Sequence, residues 1–123
     1  MRKSVLSWGS FMCDIIAPRL ERVAEPGVIE YVPQGIELRP GGHPVDLIMD
    51  LARIGVDQRR IGFVSAVGRD VFAEFLLGGL RPYQFKPLVE RVDAGTGKTM
   101  ILSVKGKDRL CHLDPGACQH MSA

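Results

Sequence analysis

The segment between Arg39 and Gly55 constrains the fold most, because it predicts two glycines that run directly into a helix. Pro44 suits the first helical position, where its missing N–H is not needed, and this puts His43 near the N-cap. Gly41 and Gly42 then lie just upstream of the helix. Because the backbone can approach a ligand closely at glycines, this segment is a candidate binding site.

The helix that follows is predicted to be buried on most of its sides. Its polar residues recur at spacings of four, three and four, and apolar side chains fill the remaining positions. Such a pattern leaves one narrow polar stripe. An acidic residue begins that stripe near the positive end of the helix dipole, where it stabilises a helix whatever the protein does. The stripe consists of Asp46, Asp50, Arg53 and Asp57.

Strands and helices alternate in the first two thirds of the chain. Ser4–Trp8 is a short, mostly apolar run, and Arg60–Gly68 is a continuous apolar run of the kind that is buried on both faces of a sheet. Asp70 can cap a second helix, in which large apolar residues share one face. The order strand, helix, strand, helix predicts right-handed crossovers and a parallel sheet, and therefore an α/β fold.

Two parts of the chain predict short strands outside this parallel sheet. Prolines interrupt residues 17–40 and leave Val28–Val32 and Ile36–Arg39 as two strands with an edge position. In residues 96–114, the turn-forming Lys105–Asp108 separates two strand-like runs and predicts a hairpin. The first segment thus predicts a small antiparallel flap, and the second predicts a separate hairpin.

The glycine-led helix resembles the first signature of the ribokinase-like carbohydrate kinases, the PfkB family. Asp46 stands where that family usually has Asn. The resemblance implies that residues 1–123 form the N-terminal part of one ribokinase-like domain. The implied fold is a partial three-layer α/β core with a parallel sheet, plus a small antiparallel β lid that residues 17–40 and 96–114 form. The residues that match the signature are Gly41, Gly42, Ala52, Arg53 and Gly55.

A substrate site is also implied by the resemblance. Gly9 and Asp14 match a Gly-x-x-x-x-Asp arrangement in which the family uses the Asp to hold sugar hydroxyls. A lone Asp after a strand can equally be a turn or cap residue. We expect the parallel-sheet topology to bring Asp14, Gly41, Gly42 and Asp46 to the same edge. Carboxylates accept hydrogen bonds from hydroxyls, so these four residues are expected to contact a sugar or nucleoside.

No residue of the chain matches the later Gly-Ala-Gly-Asp-type motif, which in the family supplies the catalytic base and a helix N-terminus for the transferring phosphate. ATP and Mg²⁺ are therefore expected for the complete family enzyme and not for this chain alone, and no catalytic residue is assigned. The resemblance implies the N-terminal, substrate-side portion of an ATP-dependent sugar or nucleoside kinase. A non-catalytic small-molecule binding or interaction module of the same fold is the alternative.

The sequence Gly-Thr-Gly-Lys-Thr at Gly95–Thr99 invites interpretation as a phosphate-binding P-loop. Val92 stands where that motif needs its first glycine, and a predicted strand follows instead of a helix. Without a helix N-terminus there is no fixed row of amides for a phosphate. We therefore expect no nucleotide site at this segment.

A third hypothesis is a small metal-binding protein. Adjacent residues on a strand point to opposite faces, so Cys111 and His112 could not easily bind one ion. The spacing of the group also matches no common zinc-binding pair. The candidate ligands are Cys111, His112, Cys118 and His120.

Composition indicates an ordinary globular chain, with 46% hydrophobic and 24% charged residues and a net charge of +2. The basic residues are scattered, which gives no support to a nucleic-acid partner. No apolar run approaches the roughly 18 residues that span a bilayer, and the N-terminal apolar stretch is too short for a signal peptide. We expect a cytoplasmic protein with no membrane partner. A homo-oligomer is expected to form through the β lid or an exposed sheet face.

Overall fold

The computed structural model describes residues 4–121 and contains two β-sheets and two α-helices. The helices are α1 (His43–Arg53) and α2 (Val71–Leu80), and short 3₁₀-helices span Gln58–Arg60 and Gly116–His120. The expected α/β class is confirmed. The strands are β1 (Val5–Trp8), β2 (Met12–Leu20), β3 (Glu37–Gly41), β4 (Ile61–Val67), β5 (Lys86–Arg91), β6 (Lys98–Val104) and β7 (Leu110–Asp114).

The core of the protein is a parallel sheet in which β4 lies between β1 and β5. The two strands predicted for this sheet are confirmed to within one residue at each end. Ile61, Phe63 and Val67 alternate along β4, are fully buried and belong to the same apolar cluster as residues of both helices. Both α-helices therefore pack on one face of the sheet.

The second sheet has four strands in the order β3, β2, β6, β7. Its two outer pairs are antiparallel, whereas the central pair of β2 with β6 is parallel. Of these pairings, the sequence predicted only that of β6 with β7. The predicted hairpin is confirmed, but Val28–Val32 is not a strand. Gly27 and Gly35 adopt positive φ angles of 81° and 76°, so turns replace that strand. Asp14, expected after a strand, lies within β2.

The two helices differ in how well the sequence predicted them. α1 is not buried on most sides: Val45 and Ile48 are buried, whereas Leu47 and Ile54 are 48% and 76% exposed. The reason is that neighbouring elements pack against only one side of it. α2 begins at the predicted cap, because the carboxylate of Asp70 accepts a hydrogen bond from the third helical N–H at 2.9 Å.

The other face of the parallel sheet carries exposed apolar side chains. Leu6, Trp8 and Leu88 are 66%, 60% and 68% exposed. Of the three layers that were expected, the part of the chain covered by the structure thus contains the sheet and one helical layer. No helix within residues 4–121 has the length and apolar character needed to cross a membrane.

Candidate functional site

Asp14 lies on β2 directly beside the glycine pair. It is the cross-strand partner of Arg39 on β3. Its carboxylate rests against Gly41, where an added Cβ atom would overlap both carboxylate oxygens. The structure therefore places Asp14 and Gly41 in contact, through strand pairing rather than through a loop.

Gly42 forms the N-cap of α1, a position that the sequence assigned to His43. Its φ angle of 108° favours glycine, and an added Cβ atom would collide with the carbonyl oxygen of Ser10. Its own carbonyl accepts hydrogen bonds from the N–H groups of Val45 and Asp46 at 3.0 and 3.1 Å. This glycine thus lets the helix start against the segment that follows β1.

Asp46 occupies the first turn of α1, and its side chain is exposed. It lines a surface groove of about 460 Å³ between β3 and α1. Asp50 and Arg53 lie further along the same groove and form an ion pair at 2.9 Å. Asp46 therefore faces solvent at the end of the groove where the helix dipole is positive. The other residues that line the groove are Arg39, Pro40, Val45 and Met49.

The two carboxylates of the predicted site interact electrostatically. Burial raises the pKa of Asp14 above its ordinary value, and the negative charge of Asp46 raises it further. A hydrogen bond with Thr99 and the positive charge of Arg109 oppose this pKa shift without cancelling it. Asp14 is thus a partly desolvated carboxylate, of the kind that binds hydrogen-bond donors well once it is ionised.

Sequence reasoning missed the residues that surround Asp14. Thr99 on β6 is its partner in the parallel pairing, and Arg39 is its partner on the other side. Arg109 acts on its pKa from the turn between β6 and β7. Thr99 was predicted only as part of the hairpin, and nothing in the sequence showed that β6 pairs with β2.

Gly95–Thr99 runs from the connection between the two sheets into β6 and does not form a phosphate loop. Thr96 is fully buried; its hydroxyl donates to Asp70 Oδ1 at 2.6 Å and accepts from the N–H of Gly68 at 3.0 Å. The N–H of Thr96 donates to Asp70 Oδ2 at 2.8 Å, and Lys98 Nζ donates to the carbonyl of Thr96 at 2.6 Å. A phosphate would need the amide of Thr96 and the ammonium of Lys98. Both groups already donate hydrogen bonds within the protein, to Asp70 and to the Thr96 carbonyl.

The Cys and His residues near the end of the chain are dispersed. Cys111 and His112 are exposed on β7, whereas Cys118 is buried, with its sulfur 3.7 Å from the carbonyl oxygen of Phe11. In the part of the chain that the structure describes, no group of three or more His, Cys, Asp or Glu side chains could hold a metal ion.

Comparison with known proteins identifies the fold. No family model and no curated protein matches the sequence. A ribokinase from Giardia lamblia matches with a TM-score of 0.80 and 20% identity, over 95% of this chain and 34% of that chain. A fructokinase from Halothermothrix orenii matches with a TM-score of 0.76 and 20% identity, over 97% and 40%. A nucleoside kinase from Methanocaldococcus jannaschii gives a TM-score of 0.76 and 19% identity, over 97% and 39%.

These matches show that the chain has the ribokinase-like fold, which confirms the fold that the sequence resemblance implied. The chain spans 34–40% of the length of these matched kinases. Among the other matched structures, a ribokinase from Cryptococcus neoformans contains ADP and a fructokinase from Xylella fastidiosa contains ATP.

Proposed function

We propose that this chain is the N-terminal, substrate-side part of one ribokinase-like domain in an ATP-dependent sugar or nucleoside kinase. The fold is shared with a ribokinase, a fructokinase and a nucleoside kinase, which supports this class of substrate. The chain spans at most 40% of those kinases, which supports a partial domain. The remaining part of such an enzyme supplies the catalytic base and the nucleotide site.

The contact between Asp14 and Gly41 at the start of α1 carries the proposal. Gly42 touches Ser10, two residues beyond the end of β1. The carboxylate and the helix N-terminus therefore lie near the carboxyl end of a parallel strand. Open α/β sheets bind ligands at that edge.

The chemistry of this edge suits a ligand with several hydroxyl groups. Ionised Asp14 and Asp46 accept hydrogen bonds and cannot donate them, so each selects a hydroxyl or amine donor. Gly41 and Gly42 carry no side chain that would keep a sugar ring away. The proposed ligand is therefore a pentose, a hexose or a nucleoside that contacts these four residues.

ATP and Mg²⁺ are proposed as cofactors of the complete enzyme. Phosphoryl transfer needs a donor, a metal and a positioned base to be held together, and the sequence resemblance assigns the base to a motif that this chain lacks. We expect the isolated chain to bind substrate weakly and to transfer no phosphate, because an incomplete cleft admits water.

NMR titration of the 123-residue chain with ribose, fructose and adenosine tests the site. We expect at least one of these ligands to shift the amide signals of Gly41 and Gly42. The Asp14→Ala variant should bind about tenfold more weakly or worse, since a hydrogen bond to a charged group contributes about 1.5–3 kcal/mol. Asp108→Ala, in an exposed turn, is the matched control and should bind like the wild type. Unchanged binding by the Asp14 variant, or no shift with any ligand, would refute the assignment.

A coupled assay for ADP tests the predicted lack of catalysis. With ATP, Mg²⁺ and each of the three ligands, we expect no substrate-dependent ADP formation above the buffer blank. Turnover that copurifies with the chain and is lost in the Asp14→Ala variant would show that the chain contains a complete catalytic site, and would contradict the proposal.

A further inference from the structure

A groove of about 270 Å³ lies at the edge of the parallel sheet where its strands begin. Val5 and Lys86, the first residues of β1 and β5, line it together with Arg60, which directly precedes β4. The proposed sugar site lies near the opposite edge, where β1 ends. Because β4 has seven residues, the two edges are about 20 Å apart. The groove is therefore separate from the proposed sugar site.

Arg60 has a buried hydrogen-bond donor that lacks an acceptor. Its side chain is half-buried, and among the described residues nothing accepts a hydrogen bond from its Nε. A guanidinium keeps its protons in proteins, so this N–H is always a donor. Buried donors in native proteins nearly always have a partner, and an ordered water or a bound ion supplies it where the chain does not. Arg60 thus needs an acceptor from outside the chain.

The positive charge in the groove is not neutralised by the chain. Among the described residues, neither Arg60 nor Lys86 takes part in an ion pair. Asp57 is close to Arg60 in sequence, but its two carboxylate oxygens accept from Nε and Nη2 of Arg59, both at 3.0 Å. No acidic side chain is among the described residues that line the groove. Two positive charges therefore lack a counter-charge there.

The larger groove between β3 and α1 is different in this respect. Each of its two arginines has a carboxylate partner, since Arg39 pairs with Glu37 and Arg53 pairs with Asp50. Asp46 adds a further negative charge to that groove. Arginines that line a groove of this protein are thus normally paired, and the groove beside Arg60 is the one that attracts anions.

One wall of the groove beside Arg60 is apolar. The side chain of Leu6 lies over Gly62, with its Cδ1 2.8 Å from the position that an added Cβ would take. Leu6 and Val5 both line the groove. Charges attract more strongly beside apolar surface than in open water, because the local dielectric constant is lower. The groove therefore combines positive charge with an apolar wall, which suits an anionic group on a small organic molecule.

We propose that this groove binds an oxyanion, the phosphate or carboxylate group of a small metabolite, through Arg60 and Lys86. The guanidinium of Arg60 offers its Nε–H and a terminal N–H as two parallel donors, which match two oxygens of such a group. Lys86 adds a point charge from the start of β5. This inference goes beyond the proposed function and does not depend on it, because neither residue belongs to the proposed sugar site.

Titrations of the 123-residue chain with sodium phosphate, glycerol phosphate and citrate test the site. Sodium chloride keeps the ionic strength constant, so that general screening does not change. We expect at least one of the three anions to shift the amide NMR signals of Arg60, Ile61 and Lys86 in a saturable manner. At about ten times its measured Kd, that anion should raise the midpoint of thermal unfolding by about 4 °C or more. Tighter binding of the two phosphates indicates a phosphorylated metabolite, and tighter binding of citrate indicates a carboxylate; either result supports the oxyanion site.

Substitutions test whether the anion lies in the proposed groove. Arg60→Gln should weaken binding about tenfold or more, because it removes a charged hydrogen bond. Arg60→Lys keeps the charge but lacks the Nε donor, so it should recover only part of the affinity. Lys86→Gln should weaken binding about threefold, as expected for an exposed charge. Lys107→Gln removes a charge from an exposed turn and is the matched control, which should bind like the wild type.

Circular dichroism verifies that each variant is folded, and the exposed Lys86 keeps the test decisive if the Arg60 variants do not fold. The proposal would be overturned if none of the three anions gave a saturable shift, if sodium chloride alone gave the same shifts, or if Lys86→Gln and Lys107→Gln bound equally well. Asp14→Ala should bind the oxyanion like the wild type, because Asp14 lies in the other sheet. A chain that binds an oxyanion but no sugar therefore refutes the sugar assignment alone.

Discussion

Individual residues at the start of α1 meet two separate structural requirements. Gly41 has an ordinary strand conformation and is needed because the carboxylate of Asp14 occupies the space of a side chain. Gly42 is needed for its positive φ angle and for its contact with the Ser10 carbonyl. Gly41 therefore makes room for the carboxylate of the proposed site, whereas Gly42 allows the backbone to turn into α1 beside Ser10.

Gly42→Ala should destabilise the protein by about 3 kcal/mol or more, since backbone strain and overpacking each cost about 1–3 kcal/mol. Gly35→Ala is the matched control, because Gly35 also has a positive φ angle, 76°, but has no atom within 4 Å of an added Cβ. Its loss should be about 1 kcal/mol. Urea denaturation followed by circular dichroism measures both, and equal losses would contradict the importance of the Ser10 contact.

Asp14 should make the protein less stable as the pH rises. Its folded-state pKa is raised above the ordinary value of 3.8, so between those two pKa values the folded state binds more protons than the unfolded state. The free energy of unfolding therefore falls as the pH increases through that window. Asp14→Asn should remove this fall and be at least as stable as the wild type at pH 7. Asp108→Asn serves as the control. A clear loss of stability in Asp14→Asn at pH 7 would show that the charge is stabilising.

At the scale of elements, the start of α2 is tied to the segment that leads into β6. Asp70 accepts hydrogen bonds from the N–H of Ala73 and from both the N–H and the hydroxyl of Thr96. Burial alone would raise the pKa of Asp70, but these hydrogen bonds and the charge of Lys98 lower it overall. The Asp70 carboxylate thus caps α2 and also fixes the position of the segment that leads into β6 of the four-stranded sheet.

Asp70→Ala should lower the free energy of unfolding by about 2–4 kcal/mol, because it removes a helix cap and leaves two donors of buried Thr96, its N–H and its hydroxyl, without their acceptor. Since the folded-state pKa of Asp70 is lowered, its contribution is present above pH 3.8 and is lost as the pH falls through the folded-state pKa. The difference between wild type and variant should therefore shrink in acid. Asp57→Ala, at the half-buried cap of a short 3₁₀-helix, should cost less; equal losses would contradict the role of Thr96.

At the scale of the whole molecule, one face of the parallel sheet is covered and the other is open. Both α-helices share a core with β4, while the opposite face presents Leu6, Trp8 and Leu88 to solvent. Exposed apolar patches of this kind mark interaction surfaces or promote aggregation. We therefore expect the isolated chain to be folded but prone to aggregate through this face.

Replacing Leu6 and Leu88 together by Gln should at least double the soluble concentration and reduce binding of the dye ANS. The fold should persist, because these side chains contribute little to the buried core. Leu47→Gln on α1 is the control for removal of an exposed leucine. Light scattering and ANS fluorescence at matched concentrations measure the effect. If the control improves solubility as much as the double variant, the sheet face is not the surface that causes aggregation.

Local patterns in the sequence were sufficient for the α/β class, the central strand β4, the cap at Asp70 and the hairpin. Each depends on patterns of neighbouring residues or on the order of the elements along the chain. The contact of Asp14 with Gly41, in contrast, depends on the pairing of β2 with β3, which the sequence did not predict. Tertiary structure alone decided that β2 pairs in parallel with β6, that Thr99 and Arg109 surround Asp14, and which apolar faces are covered. The physical reason is that strand pairing and burial depend on which distant segments pack together. An exposed leucine and a buried one therefore look the same in the sequence.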